Sequence, residues 1–514
     1  MLSFATDVPA LLLRLDPNPY HHGTLGAARS LGRAGIEVHA LLGSARGPVV
    51  RSRFLHRVHT PPRTATGRTG GPCGPDRSTA HGALSDAALE RLLLDVSARI
   101  GRPAVLVPLD DHGAIATARL APRLAGRYLL PAVEPGLPAR LADKAELGAV
   151  CAGAGVAHPT TVLPGSAREA GRAAAALGLP AVAKWSRPWL LPPGLRSTAL
   201  VRTETEAARL FARTREAGSA LLLQRRLPDS AGADWFFHGY AADGGRFLTG
   251  GAGRKDRSWP PHTGLTAVGS RLPNPAVEQA AARLAAALDY RGILDLDFRF
   301  DPATGVPHLV DFNPRPGAQF RLFTDGTGLD VVRAQHLHLT GRAVPGPPPG
   351  RGPGEPHDGT GRVYVVENYA LLSALLGPHP PGRGGGGAGG AGLELGPVAR
   401  GPVERAWFAA DDPLPGLAMA AGWLTRCLVK GVRPSCPGER LRARAAKAVR
   451  GRAVAAPRPA AANAGHTAPP APLPSPAPGA ESPAPGAESP PPVQPAPHTQ
   501  PTPHTERRNP CTTS

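Results

Sequence analysis

The sequence predicts an α/β protein: a parallel α/β domain, then a mixed α+β domain, then a disordered C-terminal tail. Three observations carry that prediction. Apolar runs alternate with helical stretches over the first 130 residues. Near residue 300, two runs of period-two alternation flank a turn. From about residue 456 the chain is rich in Pro, Ala and Ser and repeats PAPGAES, a composition that cannot bury enough surface to fold.

In the first block, 1–130, residues 10–15 (ALLLRL), 37–42 (EVHALL) and 104–109 (AVLVPL) read as buried strands. A helical stretch at 25–34 between the first two makes a βαβ unit, and so a parallel sheet. Residues 62–82 read as a flexible insertion. In the second block, 131–340, Ser166-x-x-Glu169 and Thr203-x-x-Glu206 have the form of capping boxes. Asn274-Pro275 opens a third helix, running to about 288. Short strands are expected at 181–185, 221–227, 235–241, 293–300 and 308–312. The third block, 341–455, opens with a Gly/Pro-rich linker. It holds an apolar segment at 363–376, a glycine run near 382–392, and an apolar stretch at 414–429 followed by arginines up to Arg452. Residues 456–514 form the tail.

Composition narrows the classes. The chain has 514 residues, 41% of them hydrophobic, enough for a real core. Its formal charge is +19, and only five residues are lysine (Lys144, Lys184, Lys255, Lys430 and Lys447). Where arginine fills most cationic roles, each lysine is informative. The charge fits an arginine-biased surface or an anionic partner such as a nucleotide or anionic lipid. Aromatics are only 5% and form no basic stripe, so nucleic acid is not expected. Five scattered cysteines without a CxxC pair argue against a disulfide framework or zinc site. The N-terminus has no signal-peptide pattern, and no run of about 18 apolar residues occurs, so the cytoplasm is the expected location.

The most informative stretch is residues 293–317, ILDLDFRFDPATGVPHLVDFNPRPG. Leu294, Leu296, Phe298 and Phe300 alternate with Asp295, Asp297, Arg299 and Asp301, placing the acids on one face of a strand. The following strand sets Leu309, Asp311 and Asn313 on one face. A turn centred near Thr304 places position 297 opposite 311 and 295 opposite 313. Facing carboxylates destabilise a hairpin. With an amide beside them they suit a hard cation with oxygen ligands, and magnesium holding nucleotide phosphates fits. A solvated acidic face on an edge hairpin is the plainer alternative.

This run, ending in Asp311-x-Asn313-Pro314-Arg315, resembles the end of the ATP-grasp domain, and the likeness extends upstream in order. Leu141-Ala-Asp-Lys144 resembles the segment that brings the family's first lysine to ATP, and residues 179–184 the strand that carries its second. Residues 220–228 resemble the hinge strand beside adenine. The resemblance spans about 10–335. It implies an ATP-grasp domain preceded by its usual parallel α/β domain. It also implies ATP and Mg2+ (or Mn2+) as cofactors, with Lys144 and Lys184 on phosphate oxygens, Gln224, Arg225 and Leu227 at adenine, Asp234 on the ribose, and Asp297, Asp311 and Asn313 on the metal. Asp295 is placed just outside the ligands. Arg315 resembles the arginine that stabilises an acyl phosphate or holds the acceptor carboxylate. Arg254 and Lys255, in residues 250–261 (GGAGRKDRSWPP), read as a second cationic loop, a catalytic one over the phosphates or the donor carboxylate, or else as a charged hairpin turn. The loop between Lys184 and Val201 takes the place of the family's lid. The loops at 18–26 and 110–112 lie at carboxyl ends of strands, where a second substrate or simple helix caps are expected.

The implied reaction is activation of a small-molecule carboxylate by ATP, followed by attack of an amine or thiol. An ATP-binding regulatory or scaffold module without ligase activity is the alternative. For the segment 414–452, a helix packed on the domain is expected ahead of one lying on an anionic membrane surface. The sequence fixes no oligomeric state.

Overall fold

A computed structural model describes residues 2–61, 84–192, 195–230, 232–260, 264–345, 361–376 and 401–432. The insertion at 62–82, the Gly/Pro-rich linker, the glycine run, the arginines beyond Arg426 and the Pro/Ala/Ser tail lie outside the described residues. So does the second compact unit, Ser435–Ser514; everything below concerns the first.

Five parallel strands open the chain: β1 (Ala10–Arg14), β2 (Val38–Leu42), β3 (Arg57–His59), β4 (Ala104–Pro108) and β5 (Tyr128–Leu129), in the order β3-β2-β1-β4-β5. The first two are buried along their whole length, as a sheet covered on both faces requires. The covering helices are α1 (His22–Arg33) on one face and α2 (Asp86–Ile100) and α3 (Asp111–Leu124) on the other. Helix α1 starts three residues before the sequence reading places it, because His21 caps it by accepting from Thr24 N. Gly23 lies in its first turn. A Cβ on it would come 2.8 Å from Ala318 Cα, so the glycine permits close packing.

Two short helices, α4 (Leu137–Ala142) and α5 (Leu147–Gly153), lead to a small antiparallel sheet ordered β6-β9-β7-β8. Its strands are β6 (Thr161–Val162), β7 (Ala181–Trp185), β8 (Thr198–Val201) and β9 (Leu221–Gln224). Helices α6 (Ala167–Leu177) and α7 (Glu204–Phe211) back it, with α8 (Thr214–Ala217) before β9. Both capping boxes form: Ser166 accepts from Glu169 N at 3.2 Å and Thr203 from Glu206 N at 3.1 Å.

A seven-stranded sheet completes the unit, in the order β14-β13-β10-β11-β12-β15-β16. Its strands are β10 (Asp234–Ala241), β11 (Phe247–Trp259), β12 (Leu265–Arg271), β13 (Gly292–Phe300), β14 (Pro307–Asn313), β15 (Val363–Val365) and β16 (Val403–Arg405). Helices α4, α5 and α9 (Pro275–Ala287) cover one face; α10 (Val331–Leu339) packs on the other, against the parallel domain. Helix α11 (Glu367–Leu376) follows β15, and α12 (Leu414–Val432) rests on the first domain, with Met419 buried and Arg426 4.1 Å above the Tyr20 ring. Among the described residues, no helix is long and apolar enough to cross a membrane.

Residues 250–261 correct the sequence reading. Its first ten residues are the bulk of β11, not a loop. Gly253 sits there because a Cβ would lie 2.7 Å from the Phe236 ring on β10. Glycines that read as loop signals are clearances for aromatic rings.

A buried ion pair fastens the late segment to the first domain. Arg29 Nε donates to Asp412 Oδ2 at 2.9 Å, and Nη2 donates to Trp407 O and Asp412 O, both at 2.8 Å. Asp412 also accepts from Ser52 Oγ at 2.8 Å and Arg53 N at 3.0 Å. Both partners are nearly fully buried. Asp412→Ala is expected to cost about 3–5 kcal/mol, because it strands a buried guanidinium; the urea unfolding midpoint measures it.

Candidate functional site

The site is built on β13 and β14, and its register is the one the alternation implies: Asp295 opposite Asn313 and Asp297 opposite Asp311. The mechanism differs in one respect. Between Asp297 and Phe298 the register shifts, so that Phe298 faces Leu309 and Val310 is the extra residue of a bulge. Leu309 therefore joins Leu296, Phe298 and Phe312 in the core and does not share a face with Asp311. Without the bulge, the turn at 301–305 would set Asp297 opposite Val310. The bulge turns Asp311 toward Asp297 and leaves the Val310 carbonyl to accept from Lys184 Nζ at 2.9 Å.

Both lysines reach this strand from across a cleft. Lys144 lies between α4 and α5, and its backbone N donates to Ser186 O at 2.9 Å, just past the end of β7. Its Nζ donates to Asp311 Oδ1. Lys184 lies on the cleft face of β7, alongside Leu222 and Gln224 of β9. Burial, and Lys144 close by, bring the Lys184 ammonium down to about 8. Burial, together with Asp295 and Asp311, raises the Asp297 carboxyl to about 6 against the pull of Lys255. Burial also pushes Asp295 up, but His238, Arg315 and Lys255 outweigh it and hold it below its ordinary value.

Asn313 is the most engaged of the three expected ligands. Its Oδ1 accepts from Arg315 Nη2 at 3.0 Å, and its Nδ2 faces Asp295 Oδ2 at 3.4 Å. Arg315 Nε donates to Asp111 Oδ1 at 3.0 Å, so the hairpin's exit is tied to the parallel domain. Asp110, beside it, caps α3 and accepts from Leu15 N at 2.5 Å and Asp16 N at 2.8 Å. The 110–112 loop is thus a structural junction as well as a wall of the cleft.

The other expected residues separate into near and far. Lys255, two residues beyond Gly253 on β11, shares the sheet face of Asp297, because Gly253 and Asp297 both pair with Phe236. Arg254, its neighbour on β11, points to the opposite face, where Nε donates to Asp256 Oδ1 at 2.8 Å. Gln224 is buried, with Nε2 donating to Thr161 Oγ1 at 3.0 Å and lying 3.4 Å from His158 Nε2. Strand β9 ends at Gln224; Leu227 beyond it is buried, and Arg225 donates from Nη2 to Asp301 at 2.9 Å. Asp234, at the start of β10, lies 3.7 Å from Arg299 Nε. A cavity of about 440 Å³ lies beside Lys144, lined also by His158, Thr161, Leu222 and residues of α5.

His238 is a site residue the sequence reading passed over. It is fully buried on β10 opposite Asp295, its Nε2 2.9 Å from Asp295 Oδ1 but not aligned for a hydrogen bond. A Cβ on Gly317 would come 2.1 Å from its ring, so the glycine after Pro316 keeps this pair in place. Alternation from Asp234 through Phe236 to His238 was the available signal.

The shift of Asp297 sets a pH dependence. Its folded value, about 6, lies above the ordinary 3.8, so the folded state holds this proton more tightly than the unfolded chain. Stability is therefore lost as pH rises from near 4 through about 6, then levels off. In chelator-treated protein, the advantage of Asp297→Asn over wild type should grow by up to about 3 kcal/mol across that interval. Urea unfolding at stepped pH reads it; a difference that stays flat would mean that Asp297 ionises normally.

No protein-family model matches the sequence, and no curated protein matches it. Among solved structures the chain is similar to the biotin carboxylase domain of Hydrogenobacter thermophilus 2-oxoglutarate carboxylase, in complex with MgADP, ADP and bicarbonate. The identity is 16%, over 66% of this chain and 71% of that one, with a TM-score of 0.49. It is also similar to L-amino acid ligase from Bacillus licheniformis (13%; 65% and 74%; 0.47). A third is N5-carboxyaminoimidazole synthetase from Staphylococcus aureus complexed with ADP (12%; 67% and 80%; 0.48). The chain's own layout is a parallel domain, a small antiparallel sheet, and a large sheet bearing an acidic hairpin beneath two lysines.

Proposed function

We propose that this protein is an ATP- and magnesium-dependent ligase that activates a small-molecule carboxylate as an acyl phosphate and joins it to an amine or thiol. The observation that supports it most is the convergence of Asp297 and Asp311 on facing positions, reached from across the cleft by Lys144 and Lys184.

The residues fit a hard divalent cation. Asp297 and Asp311 supply oxygen donors on facing positions, and the Asp297 carboxyl is raised first by burial and then by the carboxylates beside it, both of which a bound cation would offset. Asn313 would join through its remaining oxygen lone pair. Bound magnesium would supply neutralisation of the phosphate oxygens of ATP. The protein's own groups do the rest. Lys144 would exchange Asp311, and Lys184 the Val310 carbonyl, for phosphate oxygens, each ammonium acting as a mobile point charge. The cleft face of β9, with Gln224 and the backbone running to Leu227, would border adenine, and Asp234 the ribose.

In the first step a carboxylate oxygen bonds to the γ-phosphorus and the bond to the β,γ-bridging oxygen breaks, releasing ADP. In the second, the amine nitrogen adds to the acyl carbon, inorganic phosphate leaves and the nitrogen loses a proton. Arg315, held by Asp111 and Asn313, is placed to balance charge on the acyl phosphate, with Lys255 on the same side. Arg254 is spent on Asp256 and is not needed. Catalysis of this kind is positioning and electrostatics, without a protein nucleophile.

The test is ADP release from the purified full chain, screened against paired carboxylates and amines, with mass detection of product. The double variant Asp297→Asn/Asp311→Asn should lose at least about a thousandfold in rate, the scale on which charge stabilisation operates in such sites. Product formation that survives it would refute this metal site. Wild-type protein that binds ATP yet releases no ADP with any pair would instead be a nucleotide-binding module.

A further inference from the structure

Away from the loops just described, four ligating side chains gather where the amino end of β2 lies beside β3. We infer that Glu37, His39 and His56 form a second metal site, one for a divalent cation of zinc type, with His59 as its buried support.

The geometry is specific. Glu37 Oε1 lies 2.7 Å from His39 Nε2 and 4.0 Å from His56 Nε2, and one ligand atom from each residue falls within 4.8 Å of the others. Ligands about 2.0–2.1 Å from zinc in a tetrahedral shell sit roughly 3.3 Å apart, so His56 must close on Glu37 by roughly 0.7 Å while Glu37 and His39 part by roughly 0.6 Å. His56 can, because it is 60% exposed at the rim. Imidazole and carboxylate donors suit zinc or its first-row neighbours and not magnesium. Three protein ligands leave the fourth position to water or an exogenous group.

The surroundings are built for orientation. Arg102 Nη2 donates to Glu37 Oε2 at 2.9 Å, which turns Oε1 toward the histidines. His39 Nδ1 lies 3.3 Å from His59 Nε2, and His59 is itself buried. With Nδ1 turned to His59, Nε2 is the His39 ring nitrogen that faces Glu37, the arrangement in which a second imidazole positions a metal-bound one. In metal-free protein the Nε2 contact is a hydrogen bond from the His39 ring N–H to Glu37 Oε1; a cation at Nε2 requires that proton to move to Nδ1, which faces His59. Arg57, Arg99 and Arg102 oppose a cation here, so one carboxylate and two imidazoles must outweigh them. The sequence argument against zinc rested on cysteine spacing and does not bear on histidines that meet only in the folded sheet.

The test uses the full chain, stripped with chelator and titrated with Co2+, whose visible absorption reports four-coordinate nitrogen and oxygen ligation, then with Zn2+ in competition. One equivalent should bind with tetrahedral bands that Zn2+ abolishes. His56→Ala and Glu37→Gln should each weaken binding by at least about a hundredfold, and His59→Gln by about tenfold, the usual effect of losing an outer partner. His56→Ala removes an exposed side chain, so its melting temperature and its rate of ADP formation should match wild type. Absence of the tetrahedral bands, or Co2+ binding that is unchanged in both His56→Ala and Glu37→Gln, would overturn the inference. So would loss of binding only in company with a lowered melting temperature.

Discussion

Two carboxylates facing each other across one hairpin are the constraint around which this molecule is arranged. Asp297 and Asp311 are neighbours on β13 and β14, and their repulsion has to be met by cations. Two lysines reach across the cleft, and Arg315 and Lys255 stand on the same side. The bulge at Val310 is the local device that brings the pair together. It costs a ladder position, yet the carbonyl so freed gives Lys184 a partner.

The parallel domain supports the hairpin more than it decorates it. Asp110 binds the end of β1 to the start of α3, Asp111 holds Arg315, and Arg315 in turn orients Asn313. Behind them His238 fills the space under Asp295, with Gly317 leaving room for its ring. A chain of short contacts therefore runs from the carboxyl ends of β1 and β4 into the acidic hairpin. Displacing one link would move the next, since each polar group is largely buried and has few other partners. On the far side, the Arg29–Asp412 pair and the added strands β15 and β16 close the unit, so the segment after residue 400 is part of the same core.

Much of this was legible beforehand because the relevant signals are local. Period-two alternation set the faces of β13, and a turn read as centred near Thr304 gave the pairing of 297 with 311 and 295 with 313, which the structure reaches through the bulge at Val310. Ser166, Thr203 and Asn274 announced three helix starts through caps that act within four residues. The failures were of a different kind. Residues 250–259 looked like a loop because the reason for their glycines, the rings of Phe236 and its neighbours, stands on another strand. Leu309 was assigned to the acidic face because a bulge changes parity without changing composition. His238 was missed because its partner is 57 positions away in sequence and adjacent only through the β10–β13 pairing.

By itself, the sequence determined the α/β order of elements, the hairpin with its acids on one face, and the two lysines as the scarce cations to watch. These follow from periodicity, caps and residue type, all of which act over a few residues. The tertiary structure alone decided that Lys255 and not Arg254 faces the acids, that Asn313 is already held by Arg315, and that Glu37, His39, His56 and His59 meet at one edge. Those outcomes depend on which strands pair and how their registers shift, and such pairing is settled by the packing of the whole core, which no short window of sequence contains.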